Sequence, residues 1–225
     1  MTAAVIVAAG RGIRLGGAKP KALRLMCGRP LFAYSLEAAL ACPLVRCAVL
    51  VVPPDYLDQV TAAPSAGAPD PRVCITPGGD SRQRSVLCGL AALPPGTEWV
   101  AVHDAARPLV TAELFAGVIA MARDTGGALA AHPATDTLKR RSSDGAVSTL
   151  PRGELWHAET PQVFPKRDLQ RALDECEANG VEVTDEAEAM ERWGAAPAIY
   201  HNRASNPKIS TEADWSWVES LLSSR

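Results

Sequence analysis

The opening of the chain combines glycines with cationic side chains in a way that suits phosphate chemistry. An apolar run at residues 3–9 leads into a segment with glycines at positions 10, 12, 16 and 17. Residues 1–36 contain no Asp or Glu, and their cations are Arg11, Arg14, Lys19, Lys21, Arg24 and Arg29. Glycine lets backbone N–H groups approach an anion closely. The segment is therefore predicted to hold several phosphate groups; the alternative is a solvated basic loop.

Two familiar phosphate-binding patterns do not fit this segment. A P-loop needs Lys directly after its last glycine, whereas Gly17 is followed by Ala18. A dinucleotide-binding loop needs glycine at the position that Leu15 occupies. We therefore expect a loop that uses side-chain cations as well as backbone N–H groups.

Further polar residues follow other apolar runs. Asp104 comes directly after a predicted buried strand, where a carboxylate needs a partner. Arg107 either pairs with Asp104 structurally or holds phosphate, and His103 is predicted to be structural, with its ring nitrogens satisfied locally. The turn at residues 78–81 precedes a predicted helix, so Asp80 and Ser85 are either helix-capping residues or ligand contacts.

The elements that must position these residues alternate between strands and helices. Buried strands are predicted at residues 3–9, 45–52, 73–75, 99–103 and 127–132, and helices between them, one capped by Thr111. This order predicts a single α/β domain over residues 1–225, Rossmann-like and doubly wound, with a mostly parallel sheet. Ligands of such sheets bind at the carboxyl ends of the strands. The polar stretch 135–162 is predicted to protrude, with a hairpin turn at Asp144-Gly145.

Composition excludes several classes of protein. The chain has 225 residues, 47% hydrophobic, and a formal net charge of −2, so a basic nucleic-acid-binding face is not expected. No apolar run is long enough for a transmembrane helix, and no secretory signal is visible. The six cysteines form no C-x-x-C pair and are predicted to be reduced, so a cytoplasmic location is expected.

Several motifs follow one another along the chain. They start at Ala8-Ala9-Gly10, Lys19-Pro20-Lys21, Gly78-Gly79-Asp80-Ser81-Arg82, His103-Asp104-Ala105-Ala106-Arg107, Asp136-Thr137, Leu155-Trp156, Thr184-Asp185-Glu186 and Asn206-Pro207-Lys208. The first loop is similar to the signature loop of sugar-nucleotide pyrophosphorylases and related nucleotidyltransferases. Taken together, in this order, the motifs resemble those of the 2-C-methyl-D-erythritol 4-phosphate cytidylyltransferases of the non-mevalonate isoprenoid pathway.

The resemblance implies transfer of CMP from CTP to methylerythritol phosphate with release of pyrophosphate, assisted by Mg²⁺ or another divalent cation. It implies that Arg14 and Lys21 are catalytic residues that stabilise the α-phosphate and the leaving group. Nucleotide binding is expected from a set of residues that hold CTP or recognise its cytosine and ribose: Ala8, Ala9, Gly10, Gly12, Gly79, Asp80 and Ser85.

The second substrate has its own implied residues. Asp104, Ala105, Arg107 and Thr137 are expected to bind methylerythritol phosphate, and Asp104 is also a possible metal ligand. The stretch 135–162 resembles a β-arm that reaches across a homodimer, so that Thr137 and the catalytic Arg152 act in the partner's site.

Lys208 is implied as a catalytic residue that orients the attacking phosphate in its own subunit. Two departures from the family pattern lie beside it. Ser205 replaces an acidic residue, and Pro207 replaces an apolar one.

Two alternatives stay open at the level of sequence. Ribitol-5-phosphate cytidylyltransferases resemble this family closely and share its loop chemistry. A non-catalytic nucleotide-binding regulatory module is the alternative of another class. Lys139, Arg140 and Arg141 are expected to lie on a solvated hairpin rather than in a site.

Overall fold

The computed structural model describes residues 1–10, 19–62 and 70–224. The strands are β1 (Thr2–Val7), β2 (Leu25–Met26), β3 (Arg29–Pro30), β4 (Val45–Val52), β5 (Val73–Pro77), β6 (Trp99–Asp104), β7 (Ala128–Pro133), β8 (Lys139–Arg141), β9 (Val147–Thr149), β10 (Trp156–Pro165) and β11 (Ala198–His201). The α-helices are α1 (Leu31–Ala41), α2 (Leu57–Ala62), α3 (Arg82–Ala91), α4 (Ala112–Thr125), α5 (Lys166–Ala178), α6 (Glu186–Arg192) and α7 (Glu212–Ser223).

The central sheet has seven strands in the order β11-β7-β10-β6-β1-β4-β5. Neighbouring strands are parallel except at β10, which runs antiparallel to both β6 and β7. β1 lies between β4 and β6. Its side chains are apolar on both faces, as expected for a strand whose two faces are both covered by other elements. The predicted class, a doubly wound and mostly parallel α/β domain, is confirmed.

Helices cover both faces of the sheet, and β1 contributes to two separate cores. Ala4 and Ile6 pack in the core beneath α1 and α4, whereas Ala3 and Val5 pack in the core beneath α3 and α5. The alternation of these β1 residues between the two cores is the two-residue period of a strand. A third cluster, which includes Trp215, joins α7 to the segment after β1.

Side chains cap several of the helices. The Thr111 hydroxyl accepts a hydrogen bond from the Leu114 N–H and begins α4, as predicted. Thr211 begins α7 in a full capping box with Asp214. The Asp185 carboxylate is the N-cap of α6 and accepts from the Glu188 N–H.

The structure leaves fewer residues in the protruding arm than the sequence predicts. Strands β8 and β9 form a separate hairpin whose turn places Gly145 at a φ of +88°, as the Asp144-Gly145 signal predicts. The end of the predicted stretch, however, is β10, which pairs with β7 and β6 in the central sheet. Sequence pattern missed β10 because its second half buries polar residues that only tertiary hydrogen bonds satisfy.

Among the residues described, no helix combines the length and the apolar character that crossing a membrane requires.

Candidate active site

A cleft of about 870 Å³ opens where β1, β4, β5 and β6 end. Because these strands are parallel, their carboxyl ends meet at one edge, the place where open α/β sheets bind ligands. The cleft collects many of the residues singled out in the sequence: Ala8, Ala9, Gly10, Lys19, Lys21, Gly79, Asp80, Ser85, Asp104 and Lys208. Residues from near the two ends of the chain thus share one site.

A tight turn forms the wall next to β5. The Gly78 N–H donates to the Val52 carbonyl at 2.8 Å, and the Gly79 N–H donates to Ser85 Oγ at 3.2 Å. A Cβ on Gly78 would lie 2.5 Å from the Ala9 Cβ, so a larger residue would push the two loops apart. Ser81 caps α3 by accepting from the Arg84 N–H. The capping residue is therefore Ser81, and Asp80 stays exposed at the cleft.

Asp104 is the buried charge at the floor of the cleft. One carboxylate oxygen lies 3.0 Å from Arg82 Nε and the other 2.7 Å from Lys208 Nζ. Burial alone would raise the pKa of Asp104, but Arg82 and Lys208 outweigh that effect and hold this pKa well below its usual range. The Asp104 N–H donates to Thr160 Oγ1 at 3.1 Å. Asp104 is therefore an ionised carboxylate with fixed cationic partners.

Arg82 connects Asp104 to a second buried carboxylate. Its two terminal nitrogens donate to Glu186 at 2.7 and 2.9 Å, in a bidentate pair at the start of α6. Burial lowers the pKa of Arg82, but Asp104 and Glu186 raise it well above the ordinary value. Sequence reasoning gave no role to this ion-pair chain. Its only signal was the presence of Arg82 and Glu186 inside the two motifs that resemble the family.

His103 lies behind Asp104 and is structural, as the sequence predicts. Its Nδ1 lies 2.9 Å from Thr160 Oγ1, and its Nε2 lies 3.2 Å from the Arg107 carbonyl oxygen. Burial lowers the pKa of His103 to about 4, against smaller opposing effects that include the charge of Asp104. The ring is therefore neutral at physiological pH.

Lys21 and Lys208 both line the cleft. The Lys21 ammonium donates to the carbonyl of Ile209, the residue after Lys208. The cations of the opening segment do not all share this site. Arg24 pairs with Glu212 and stacks over Trp215, and Arg29 pairs with Glu37.

Two of the predicted site residues, Gly12 and Arg14, lie outside the described residues. Arg11 lies outside them as well.

Two predicted substrate-binding residues lie beside the cleft rather than in its lining. Ala105 is fully buried in the core, and its N–H donates to the Val7 carbonyl. Arg107 does not form the ion pair with Asp104 that the sequence left open, since the described ion-pair partners of Asp104 are Arg82 and Lys208. Its guanidinium donates instead to the carbonyls of Asn206 at 2.8 Å and Ala158 at 3.2 Å.

Arg152 and Thr137 lie on the arm, and neither lines the cleft of its own chain. Both are exposed, and the Arg152 guanidinium donates to the Thr135 carbonyl at 2.8 Å. Neither residue is therefore part of the cleft that Lys21 and Asp104 line in the same chain.

The buried carboxylate that this cleft offers to a metal ion is Asp104. Both oxygens of Asp104 are already bound by cations, and the described part of the chain holds no group of three His, Cys, Asp or Glu that suits a metal ion. Mg²⁺ is commonly bound by one or two carboxylates together with substrate phosphates. The residues present therefore fit a metal held mainly by phosphate oxygens, and not a metal site built by the protein alone.

Comparison with known proteins defines the class as a cytidylyltransferase. Residues 2–224 match the family IspD, 2-C-methyl-D-erythritol 4-phosphate cytidylyltransferase. An enzyme of that name from Stenotrophomonas maltophilia (strain R551-3) is 44% identical over 98% of this chain and 96% of its own length. One from Xanthomonas campestris pv. campestris (strain 8004) is 42% identical over 99% and 84%.

Solved structures agree. The crystal structure of 4-diphosphocytidyl-2C-methyl-D-erythritol synthase from Anaerococcus prevotii DSM 20548 has a TM-score of 0.86 at 27% identity and covers 99% of this chain and 96% of its own. That of 2-C-methyl-D-erythritol 4-phosphate cytidylyltransferase from Thermus thermophilus has a TM-score of 0.78 at 28% identity, with 98% of both chains covered. The chain belongs to the 2-C-methyl-D-erythritol 4-phosphate cytidylyltransferase family.

Proposed function

We propose that this protein transfers CMP from CTP to 2-C-methyl-D-erythritol 4-phosphate, in the non-mevalonate route to isoprenoids. The observation that carries the proposal is the cleft itself. It is lined by Lys21 and Lys208, by the Gly78-Gly79 turn and by the ionised Asp104. Cations and a narrow backbone turn in one cleft suit a triphosphate and a small base.

The reaction is an in-line displacement at phosphorus. A phosphate oxygen of methylerythritol phosphate attacks the α-phosphorus of CTP, the bond from that phosphorus to the bridging oxygen breaks, and pyrophosphate leaves with the electron pair. Such transfers need positioning and charge neutralisation more than a protein nucleophile. Lys21, with Arg14, neutralises charge on the α-phosphate and the leaving group, and Lys208 orients the attacking phosphate. Asp104 and Arg82 hold Lys208 in place.

The nucleotide is bound through backbone and small polar groups. Ala8, Ala9, Gly10 and Gly12 face its phosphates, and Gly79, Asp80 and Ser85 recognise cytosine and ribose. The close packing of the turn at Gly78 against Ala9 and Ser85 supports recognition of a pyrimidine there rather than a larger purine.

A divalent cation is part of the proposal. When bound, Mg²⁺ would supply charge neutralisation on the pyrophosphate, and triphosphate oxygens would hold it, with Asp104 as the buried carboxylate of the cleft. Occupation of both Asp104 oxygens by Arg82 and Lys208 supports this secondary role.

The second substrate is bound between two copies of the chain. Arg152 and Thr137 are exposed on an arm that leaves their own cleft, so a homodimer with exchanged arms is the arrangement in which they complete a site. Asp104, Ala105 and Arg107 then contribute from the subunit that holds CTP. The cytoplasmic location stays a prediction from sequence.

The test is a pyrophosphate-release screen with four nucleoside triphosphates, each paired with methylerythritol phosphate and ribitol 5-phosphate in the presence of Mg²⁺. The expected result is release with CTP and methylerythritol phosphate. A preference for ribitol 5-phosphate would overturn the substrate, and no release with any pair would support a non-catalytic nucleotide-binding module.

A further inference from the structure

Glu159 is a buried carboxylate with no part in the transfer described above. It lies on β10, its residue is 3% exposed, and it is surrounded by polar side chains from three strands and loops. His132 Nδ1 lies 2.8 Å from Oε1, whereas the side-chain amides of Asn202 and Asn206 donate to Oε2 at 2.7 and 3.1 Å. A carboxylate is costly to bury without such partners. The cluster is therefore a built feature of the fold.

Asn206 depends on this carboxylate for its orientation. Its Nδ2 makes two hydrogen bonds, one to Glu159 and one to the Thr160 carbonyl at 2.9 Å. Its Oδ1 is buried and has no hydrogen-bond partner among the described atoms. Both acceptors bind Nδ2, and Oδ1 has no competing partner among the described atoms. The side-chain amide therefore has one preferred orientation. Without the Oε2 acceptor, one of the two bonds that set this orientation is lost.

Asn206 in turn fixes the backbone that carries Lys208. Its carbonyl accepts from Arg107 Nη1 at 2.8 Å, and the Ile209 N–H donates to the Ala106 carbonyl at 2.9 Å. Lys208 lies between these two anchors, on a segment outside any helix or strand. Its side chain is 42% exposed, and its ammonium lies 2.7 Å from Asp104. The position of that ammonium therefore depends on the anchors on either side.

We propose that Glu159 is a positioning residue for the transfer reaction, which holds Lys208 at the cleft through Asn206. The inference rests on the proposed function, since Lys208 is assigned there to the attacking phosphate. Displacing a positioning group by about 1 Å can cost about 100-fold in rate. Glu159 supplies the acceptor that keeps Lys208 from such a displacement, although the Glu159 carboxylate bonds to neither Lys208 nor Asp104.

The test is a double-mutant cycle that pairs Glu159→Leu, which removes both acceptor oxygens, with Lys208→Ala, measured as steady-state pyrophosphate release. Glu159→Leu alone is expected to lower kcat about tenfold or more, with the KM for CTP changed less than about threefold. In the Lys208→Ala background, the same change is expected to alter kcat by less than about twofold. A merely structural role would lower kcat in both backgrounds.

Matched variants make the result decisive. Asn202→Ala removes the other amide donor to the same oxygen but has no anchor beside Lys208, so we expect a loss below about threefold. Asn206→Ser replaces Glu159→Leu if the latter does not fold, with the same expected pattern. Equal losses in both backgrounds, or a wild-type rate for Glu159→Leu, would overturn the inference. A wild-type enzyme without transfer activity would instead overturn the proposed function.

Discussion

The cleft and the arm are both proposed to bind phosphate, but their charged side chains are held in different ways. At Asp104 in the cleft, buried charges hold one another. Asp104 binds Arg82 and Lys208, and Arg82 binds the buried Glu186. On the arm, Arg152 is exposed and held by one backbone carbonyl. A preorganised site stabilises charge without reorganisation during the reaction. The difference agrees with the proposal that the cleft binds the nucleotide within one chain, whereas Arg152 acts in a second copy.

The largest effect is expected in the cleft. Lys21→Ala should lower kcat/KM at least about 100-fold, or about 3 kcal/mol, because a cation on the developing charge is lost. Steady-state pyrophosphate release measures this. Arg46→Ala, an exposed cation near the amino end of β4, is the control and should keep the wild-type rate. If Lys21→Ala folds and stays within about threefold of wild type, the cleft is not the site of transfer.

His103, which lies behind Asp104 at the floor of the cleft, should make the free energy of unfolding depend on pH. The pKa of His103 is about 4 in the fold, below the value of about 6.5 for an unfolded chain. Between these values the unfolded state binds a proton that the native state does not. The free energy of unfolding should therefore fall by about 3 kcal/mol as pH drops from about 6.5 to 4.

Urea unfolding between about pH 4 and 8 tests this dependence in the wild type and in His103→Gln. The variant should lose that part of the slope, whereas His157→Gln, which changes an exposed histidine, should keep it. Parallel curves for wild type and His103→Gln would contradict the buried, neutral ring.

Arg152→Ala tests whether the arm acts in a second copy. We expect kcat/KM for methylerythritol phosphate to fall about 30-fold, or about 2 kcal/mol, because a charged hydrogen bond is lost. The affinity for CTP should not change, because Arg152 is assigned to methylerythritol phosphate and is not among the residues proposed to bind the nucleotide.

Mixing this variant with Lys21→Ala sharpens the result. Random exchange between two-fold dimers leaves one intact site in about half of the dimers, so activity should recover to about a quarter of wild type. Subunits that exchange, as shown by a labelled chain, but do not recover would place both residues in one subunit's site.

The smallest effect is expected at the tip-side cations of the arm. Arg140 is exposed on β8. Arg140→Ala should change the free energy of unfolding by less than about 0.5 kcal/mol, as surface substitutions usually do. It should also leave kcat/KM within about twofold. A loss comparable to that of Arg152→Ala would mean that the whole hairpin, and not one arginine, binds substrate.

The same contrast explains what sequence could predict. Thr111, the apolar run that became β4 and the Asp144-Gly145 turn are local signals, so their predictions are confirmed. β10 was missed because Pro161 and buried polar residues make it look unlike a strand.

The same distinction between local and long-range signals applies to the site residues. Motifs brought Lys21, Asp104 and Lys208 to attention, but the Arg82–Glu186 pair joins residues 104 positions apart. No local pattern encodes such a pair. Glu159 was missed for the same reason, since its two amide donors lie 43 and 47 positions further along the chain.

The most direct test of the account is a crystal structure of the protein with CTP and Mg²⁺. We expect the triphosphate to lie beside Lys21 and cytosine to contact Gly79 and Ser85. The ammonium of Lys208 should remain within hydrogen-bond distance of Asp104. A nucleotide bound elsewhere, with this cleft empty of it, would contradict the assignment of the cleft and with it the proposed reaction.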